Sequence, residues 1–388
     1  MTGPLRIALA LDDSLDRPDG VQQHVLALGR WLAARGHDVH YLAPSTTRAD
    51  LPNLWEIGSS VEVRANGNVL RTPTVGRTAR LRSVLADVRP DVLHVALPCS
   101  PLLAGRLTAQ VSASTAVVGT FHILPGGPVM AAASRLLGMV QARQLRRFDE
   151  VMAVSAPAGD FARRAFGLET SVVPNPVDVS TFATVVPRPR TTDRVQVLYL
   201  GRLVERKGAR HLVRAVGELK ARGLSATPFE VTIAGRGPML DQLRAQVVRE
   251  GLDGSVRFSG FVPEEAKAEL LANADVVALP SVGGESFGIS VVEALAASRG
   301  VVLAGDNPGY RAAMGGLTDQ LVQPQDAVAF ARTLATYLDR PDLRQRARER
   351  QLAQARTFDT ARVGPQVLAV YEQALARRRS RVEAPLPA

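Results

Sequence analysis

The chain has 388 residues, 46% of them apolar and 22% charged, with a formal net charge of +10. That length asks for about two domains. The balance excludes a disordered chain, and no run approaches the roughly 20 apolar residues of a transmembrane helix. Cys99 is the only cysteine, so no internal disulfide can form, and the first strand-like run begins at Leu5 without a signal-peptide pattern before it. Both features lead us to expect a cytoplasmic protein. All but three of the 47 basic residues are arginine, and the lysines are Lys207, Lys220 and Lys267. A basic excess suits nucleic acid, anionic lipid or phosphorylated substrates. No zinc-finger spacing or ribonucleoprotein motif supports a nucleic-acid partner.

In the first half, apolar runs alternate with helical patterns. Strands are expected at Arg6–Leu11, Asp38–Leu42, Val61–Val63, Val92–Val95, Ala116–Thr120, Glu150–Val154 and Ser171–Val173. Helices are expected at Val21–Arg35, Gly76–Val88, Leu102–Val111, Val129–Arg147 and Ala156–Phe166. This order predicts a parallel sheet with helices on both faces. The pattern breaks at Asn175-Pro176-Val177-Asp178, and the Pro- and Arg-rich stretch Val186–Arg190 reads as a linker. Alternation then restarts with strand Val195–Leu200, helix Ala209–Arg222, strand Glu230–Ala234, helix Met239–Arg249, strand Val256–Ser259 and helix Glu264–Leu271. Strand Ala274–Leu279 follows, then a helix from Phe287, strands Gly300–Ala304 and Asp319–Val322, and helices Ala327–Leu338, Leu343–Gln354 and Ala361–Arg377. The expectation is an α/β protein of two Rossmann-like doubly wound domains facing across a cleft, residues 1–180 and 181–359, with residues 360–378 as a crossover helix and 379–388 as a tail.

Chemistry-bearing residues gather at expected strand ends, where open parallel sheets bind ligands. The most informative stretch is Pro280–Ala296. There a glycine loop between strand and helix carries Glu285 and, eight positions later, Glu293, and it points N–H groups and a helix end toward an anion. Eight positions separate the two acids too far for one helical turn, so they meet different parts of one long ligand. The loop also spells Gly284-x-Ser286-x-Gly288, the hydrolase nucleophile elbow. The triad histidine should follow the serine in the chain, and the last histidine is His211. Gly201-Arg202-Leu203-Val204-Glu205-Arg206-Lys207-Gly208 combines a forked donor and a compact charge suited to a diphosphate; a solvated charge run also fits. Gly235 closes another strand, and Phe261 and Val262 could present backbone groups to a base edge. In the first half, the acidic loop with Asp16 leads to Gly20 and Gln22, and His122 closes a strand. No metal-ligand spacing and no Walker loop appear, so no metal or bound cofactor is expected.

Taken together these motifs resemble the retaining glycosyltransferases of family 4, with the GT-B fold. Glu285 and Glu293 form that family's E-x7-E signature, and Arg202, Lys207 and Pro174-Asn175-x-Val177-Asp178 are further marks. The likeness is strongest to the actinobacterial phosphatidylinositol mannosyltransferases, through Gly20-Val21-Gln22, Asp91-Val92-Leu93-His94, Thr120-Phe121-His122 and Gly283–Ile289. The resemblance implies a hexosyltransferase that uses a nucleotide-diphosphate sugar, GDP-mannose above others, and needs no metal. Arg202 and Lys207 would hold the diphosphate, Glu293 the ribose and Glu285 the sugar hydroxyls. Gly235, Phe261, Val262, Ser286, Phe287, Gly288 and Ile289 would complete the donor site. Gly20 would lie against the phosphates and His122 beside the reacting acceptor, a lipid or other hydroxyl compound near Asp16 and Gln22. Arg71, Arg77, Arg80 and Arg82 resemble a membrane-facing basic helix that would dock at an anionic inner membrane surface; a solvated helix face fits equally. Asp19 stands where relatives carry glycine. Neither Val95-Ala96-Leu97-Pro98 nor Ile123–Pro128 carries the polar residues usual there, which leaves another acceptor open.

Overall fold

The structure, a computed structural model, describes residues 3–16, 19–48, 50–65, 68–73, 78–100, 103–125, 128–189 and 192–383. It packs as two compact units: one runs to Pro176 and resumes at Thr360, and the other spans Val177–Asp359.

The first unit begins with β1 (Arg6–Ala10), α1 (Gly20–Ala33), β2 (Asp38–Ala43), β3 (Leu54–Glu56), β4 (Ser60–Ala65) and β5 (Asn68–Pro73). It continues with α2 (Thr78–Val88), β6 (Val92–Val95), α3 (Leu103–Gln110), β7 (Ala116–Phe121), α4 (Pro128–Leu145), β8 (Glu150–Ala153), α5 (Ala156–Phe166) and β9 (Ser171–Val172). Its parallel seven-stranded sheet has the order β3-β2-β1-β6-β7-β8-β9. The order reverses between β1 and β6, so the loops after these strands diverge to leave a crevice. The inner strands read as continuous apolar runs because both faces are covered. Ile7, Leu9, Val92, Val118 and Met152 share one core with Leu28 and Leu32 of α1.

The second unit contains α6 (Val179–Ala183), β10 (Val195–Leu200), α7 (Ala209–Ala221), β11 (Phe229–Ala234), α8 (Leu240–Arg249), β12 (Val256–Gly260), α9 (Glu264–Ala272) and β13 (Val276–Leu279). Then come α10 (Ile289–Ala297), β14 (Val301–Gly305), α11 (Pro308–Met314), β15 (Leu321–Val322), α12 (Ala327–Asp339) and α13 (Pro341–Arg356). The sheet order is β12-β11-β10-β13-β14-β15, with the reversal between β10 and β13. One helix group packs α7 against α8 and α12, and another packs α10 against α6, α9, α11 and α13. The final helix, α14 (Thr360–Glu383), returns to the first unit and packs on α1, β7 and β8. Its close approach requires Gly364, where an added Cβ would fall 2.4 Å from the ring of Trp31.

Three local expectations change. Val61–Val63 belongs to a separate antiparallel hairpin of β4 and β5, not to the main sheet. The sequence signal is Asn66-Gly67 between two β-rich runs, a stronger hairpin mark than the alternation at 61–63. The three-residue β3 and the seven-residue α11 are too short for periodicity to reveal. Finally, the boundary between the units falls after Pro176, four residues before the expected division.

Candidate active site

In the second unit the chemistry collects at the strand-order reversal. The loops after β10 and β13 lie side by side because those strands pair. Gly208 makes the contact possible: its φ is +76°, and a Cβ there would fall 1.9 Å from the Pro280 carbonyl oxygen. Val282 N–H donates to the Arg206 carbonyl at 2.9 Å, and the Ser281 oxygen lies beside that carbonyl. A short 3-10 turn, Glu205–Lys207, then aims two cations at Glu285. Arg206 Nη1 stands 2.5 Å and Lys207 Nζ 2.9 Å from Glu285 Oε1, and Ser281 Oγ lies 2.9 Å from the same oxygen. All three donors therefore converge on one carboxylate oxygen.

The charge balance here is uneven. Burial raises the Glu285 carboxyl, but Lys207 and Arg206 outweigh it and hold the group below the usual carboxylate range. Lys207 is pushed down by burial, with Arg206 and Arg202 adding repulsion against the pull of Glu285. Both directions follow from one arrangement: two cations, Arg206 and Lys207, hold one oxygen of a single carboxylate, and Arg202 is near enough to add to the repulsion on Lys207. Tyr310 lies beneath, fully buried, with its ring centroid 5.9 Å from Lys207 Nζ.

Glu293 faces elsewhere. It is buried in α10, with Lys267 Nζ of α9 at 3.0 and 3.1 Å from its two oxygens, and Lys267 also reaches Glu264 at 2.7 Å. Burial lowers the Lys267 ammonium, but Glu293 and Glu264 reverse this and leave it raised. The eight-residue spacing thus divides the acids between two cation partners, Arg206 with Lys207 and Lys267. Sequence reasoning assigned no role to Arg206 or Lys267. Arg206 was visible beside Lys207 in the basic motif. Lys267 had only its rarity as a signal, being one of three lysines.

The remaining donor-side residues fall into different positions. Phe287 and Ile289 are turned inward at 2% and 8% exposure, and Phe287 meets Phe358 edge-to-face at 5.0 Å. Their side chains pack inward, and the backbone of the loop leads into the start of α10. Gly288 caps that helix and Ser286 is half-buried. Gly235 ends β11 and donates its N–H to the Gly260 carbonyl at 2.7 Å. Phe261 is exposed, with the Arg236 guanidinium 4.8 Å over its ring, and Val262 beside it is half-buried.

In the first unit the counterpart is neutral. His122 follows β7, and its ring packs 4.8 Å from that of His24 on α1; His24 in turn lies 6.0 Å from His94 on β6. His94 is clamped at both nitrogens, Nδ1 by the Tyr371 hydroxyl of α14 at 2.7 Å and Nε2 by Thr120 Oγ1 at 2.6 Å. His24 Nδ1 meets Asn175 Oδ1 at 2.9 Å. The Nε2 atoms of His24 and His122 are buried and have no hydrogen-bond partner among the described residues. Burial lowers all three imidazoles, His24 to about 4 and His94 to about 3, with His122 well below its ordinary value through burial and then His24 and His94. Sequence reasoning singled out only His122, because His24 and His94 fit helix and strand patterns as ordinary buried positions.

Gln22 is buried near the start of α1 and donates Nε2 to the Ser14 carbonyl at 3.3 Å. Gly20 opens α1. Asp16 is tied back to the loop after β2: Oδ1 accepts from Thr46 Oγ1 at 2.5 Å, Thr47 N at 2.6 Å and Thr47 Oγ1 at 3.1 Å. Its carboxylate therefore organises two neighbouring loops. On α2, Arg80 Nε donates to the Glu56 carbonyl at 3.3 Å and Arg82 Nε to Gln110 Oε1 at 2.7 Å. Arg71 lies in β5, where only the backbone is described, and Arg77 lies outside the described residues. Among the described residues no group of three or more His, Cys, Asp or Glu is arranged to hold a metal ion, and no helix is long and apolar enough to cross a membrane.

Comparison with known proteins gives this geometry a family. Residues 18–181 match the model "Glycosyltransferase Family 4", and residues 186–353 match "Glycosyl transferases group 1". The chain is 35% identical over 380 residues to the phosphatidyl-myo-inositol mannosyltransferase of Mycolicibacterium smegmatis, covering 95% of this chain and 94% of that one. It is 31% identical to the enzyme of the same name from Propionibacterium freudenreichii, with 95% and 94% covered. Among solved structures, a glycosyltransferase from Rickettsia africae superposes with a TM-score of 0.74 at 16% identity, covering 96% of this chain and 99% of that one. Anabaena HepE, solved with UDP, gives 0.71 at 16% identity, with 95% and 100% covered. The chain belongs to the GT-B glycosyltransferases, joining a Glycosyltransferase Family 4 half to a Glycosyl transferases group 1 half.

Proposed function

We propose that this glycosyltransferase moves mannose, with retention of configuration, from GDP-mannose to an inositol phospholipid at an anionic membrane surface on the cytoplasmic side. The observation that carries the reading is the convergence of Arg206, Lys207 and Ser281 on one oxygen of Glu285, two cations against one carboxylate. Similarity over 95% of the chain to phosphatidyl-myo-inositol mannosyltransferases supplies the sugar and acceptor classes.

In this reading Arg202, Arg206 and Lys207 take the diphosphate. Cleavage of the bond from the anomeric carbon to the phosphate oxygen leaves negative charge on the leaving group, and preorganised cations stabilise it without any rearrangement at the moment of reaction. The Glu285 oxygen that the three donors do not use faces the sugar hydroxyls. Glu293, steadied by Lys267, meets the ribose. The acceptor oxygen attacks from the face the diphosphate leaves, and the departing phosphate oxygen takes the acceptor's proton. No protein nucleophile is assigned, and His122 orients the acceptor hydroxyl. No metal or resident cofactor enters this scheme.

Docking to lipid draws on the first unit. No acidic residue occurs between Asp91 and Asp149. In that interval α4 exposes Leu136, Met139 and Val140 between Arg135 and Arg143. Apolar side chains flanked by arginine suit an interface of anionic headgroups. The test is incubation with GDP-mannose and phosphatidylinositol vesicles, with mass spectrometry of the lipid. A mannosylated lipid is expected; no transfer while another sugar nucleotide is consumed overturns the substrate assignment. A second reading, the same chemistry on a different hydroxyl acceptor, is favoured by the uncharged stretches Val95–Pro98 and Ile123–Pro128. Thermal shift across sugar nucleotides and acceptors separates the two, since a ligand that binds the native state raises its melting temperature.

A further inference from the structure

The histidine cluster contains a relation that the transfer reaction does not by itself require. Asn175 Oδ1 offers only lone pairs to His24, so the ring must place its proton on Nδ1. A neutral imidazole carries one ring proton, and His24 is 1% exposed and neutral at ordinary pH. Its Nε2 is therefore a bare acceptor, buried without a partner among the described residues. The next ring, His122, lies 4.8 Å away at an interplanar angle of 83° and also has a buried Nε2 without a partner among the described residues. Two orphaned nitrogens on adjoining rings are costly in a folded core, and such cost persists where a ligand is to be met.

His94 behaves differently. Tyr371 and Thr120 satisfy both its nitrogens, so it serves as a fixed wall behind His24. The titratable groups facing His24 are thus His94 on β6 and His122 after β7, and its hydrogen-bond partner Asn175 is the next-to-last residue before the chain leaves the first unit.

We propose that Asn175 and His24 are positioning residues for His122: Asn175 fixes the tautomer of His24, and His24, packed edge-to-face, fixes the ring plane and free nitrogen that His122 presents to the acceptor hydroxyl. The chemical role of His122 rests on the proposed function; the tautomer relation does not. A change at Asn175 should therefore act on turnover while leaving nucleotide-sugar binding in the other unit untouched. Misplacement of a reacting group by about 1 Å costs on the order of a hundredfold in rate.

The experiment uses the intact chain labelled with 15N at its six histidines. Ring-nitrogen NMR is expected to show His24 protonated at Nδ1, with Asn175→Leu losing that single tautomer and shifting the His122 ring signals. Asn175→Asp, which keeps the acceptor, should preserve the Nδ1–H form. In sugar transfer, Asn175→Leu should lower kcat by roughly ten- to a hundredfold, with donor KM unchanged. Asn175→Asp should recover turnover at alkaline pH and lose it on acidification sooner than the native chain, because a carboxylate favours the imidazolium form of His24. A native His24 protonated at Nε2, unchanged His122 signals in Asn175→Leu, or an acid limb in Asn175→Asp identical to that of the native chain would overturn the proposal. If Asn175→Leu does not fold, Asn175→Asp still decides through its tautomer and acid limb. If no sugar nucleotide is turned over, the NMR result stands by itself and the failure belongs to the proposed function.

Discussion

The two units bring polar groups to corresponding places, the crevice where strand order reverses, but solve the electrostatics in opposite ways. Around Glu285 the groups are charged: Arg206 and Lys207 of one loop meet one carboxylate oxygen of the next. Around His122 the groups are neutral, and burial keeps them so. The contrast teaches what each site can bind. Two cations held against one carboxylate suit an arriving anion, whereas the neutral imidazoles of His24 and His122, each with a buried nitrogen that has no partner among the described residues, suit hydroxyl groups, which donate and accept without bringing charge.

The comparison breaks most sharply at Lys207. Lys207→Ala removes a preorganised cation, so turnover should fall by roughly two to three orders of magnitude with the fold intact by circular dichroism; near-normal turnover would mean that charge is not aimed at the leaving group. Lys267→Met tests the neighbouring pair. It removes the ammonium that the buried Glu293 carboxylate holds at both oxygens, and the loss of stability in urea should be about 3 kcal/mol, larger than for any solvent-facing arginine pair.

On the neutral side the test is acid. In the unfolded chain the histidines bind protons near pH 6.5, while in the native chain His24 waits until about 4 and His94 until about 3. Stability should therefore be level above pH ~6.5 and drain as pH falls toward 4, with each histidine contributing a slope of about 1.4 kcal/mol per pH unit. Urea midpoints across that range should show the slope reduced by one proton in His24→Gln. The smallest effect is outside both crevices. Arg80→Gln with Arg82→Gln should weaken binding to anionic vesicles by about 1 kcal/mol per charge removed, and the difference should vanish at high salt.

Much of this arrangement was legible in the chain. The alternation of apolar runs and helices announced two doubly wound sheets, since buried parallel strands leave few other patterns. The E-x7-E stretch was legible because its spacing, glycines and preceding strand are all local. What escaped was long-range pairing. Nothing near Glu293 announces Lys267, 26 positions earlier on a different helix, and nothing near His24 announces Asn175, 151 positions later. Phe287 and Ile289 escaped in the other direction: their place in a motif suggested contact with a ligand, while their hydrophobicity turned them into the core. The bonds from Asp16 to Thr46 and Thr47 escaped too, since the two loops they join lie some thirty positions apart in the chain.

The scarcity of lysine has a practical consequence for labelling. Lys207 and Lys267 have only 17% and 14% of their side chains exposed and are held by carboxylates, whereas Lys220 on α7 faces solvent. An amine-reactive dye should therefore mark Lys220 first among the lysines, far in the chain from either acid of the signature. A fluorophore placed there would follow the second unit through a reaction while leaving its cationic loop unmodified.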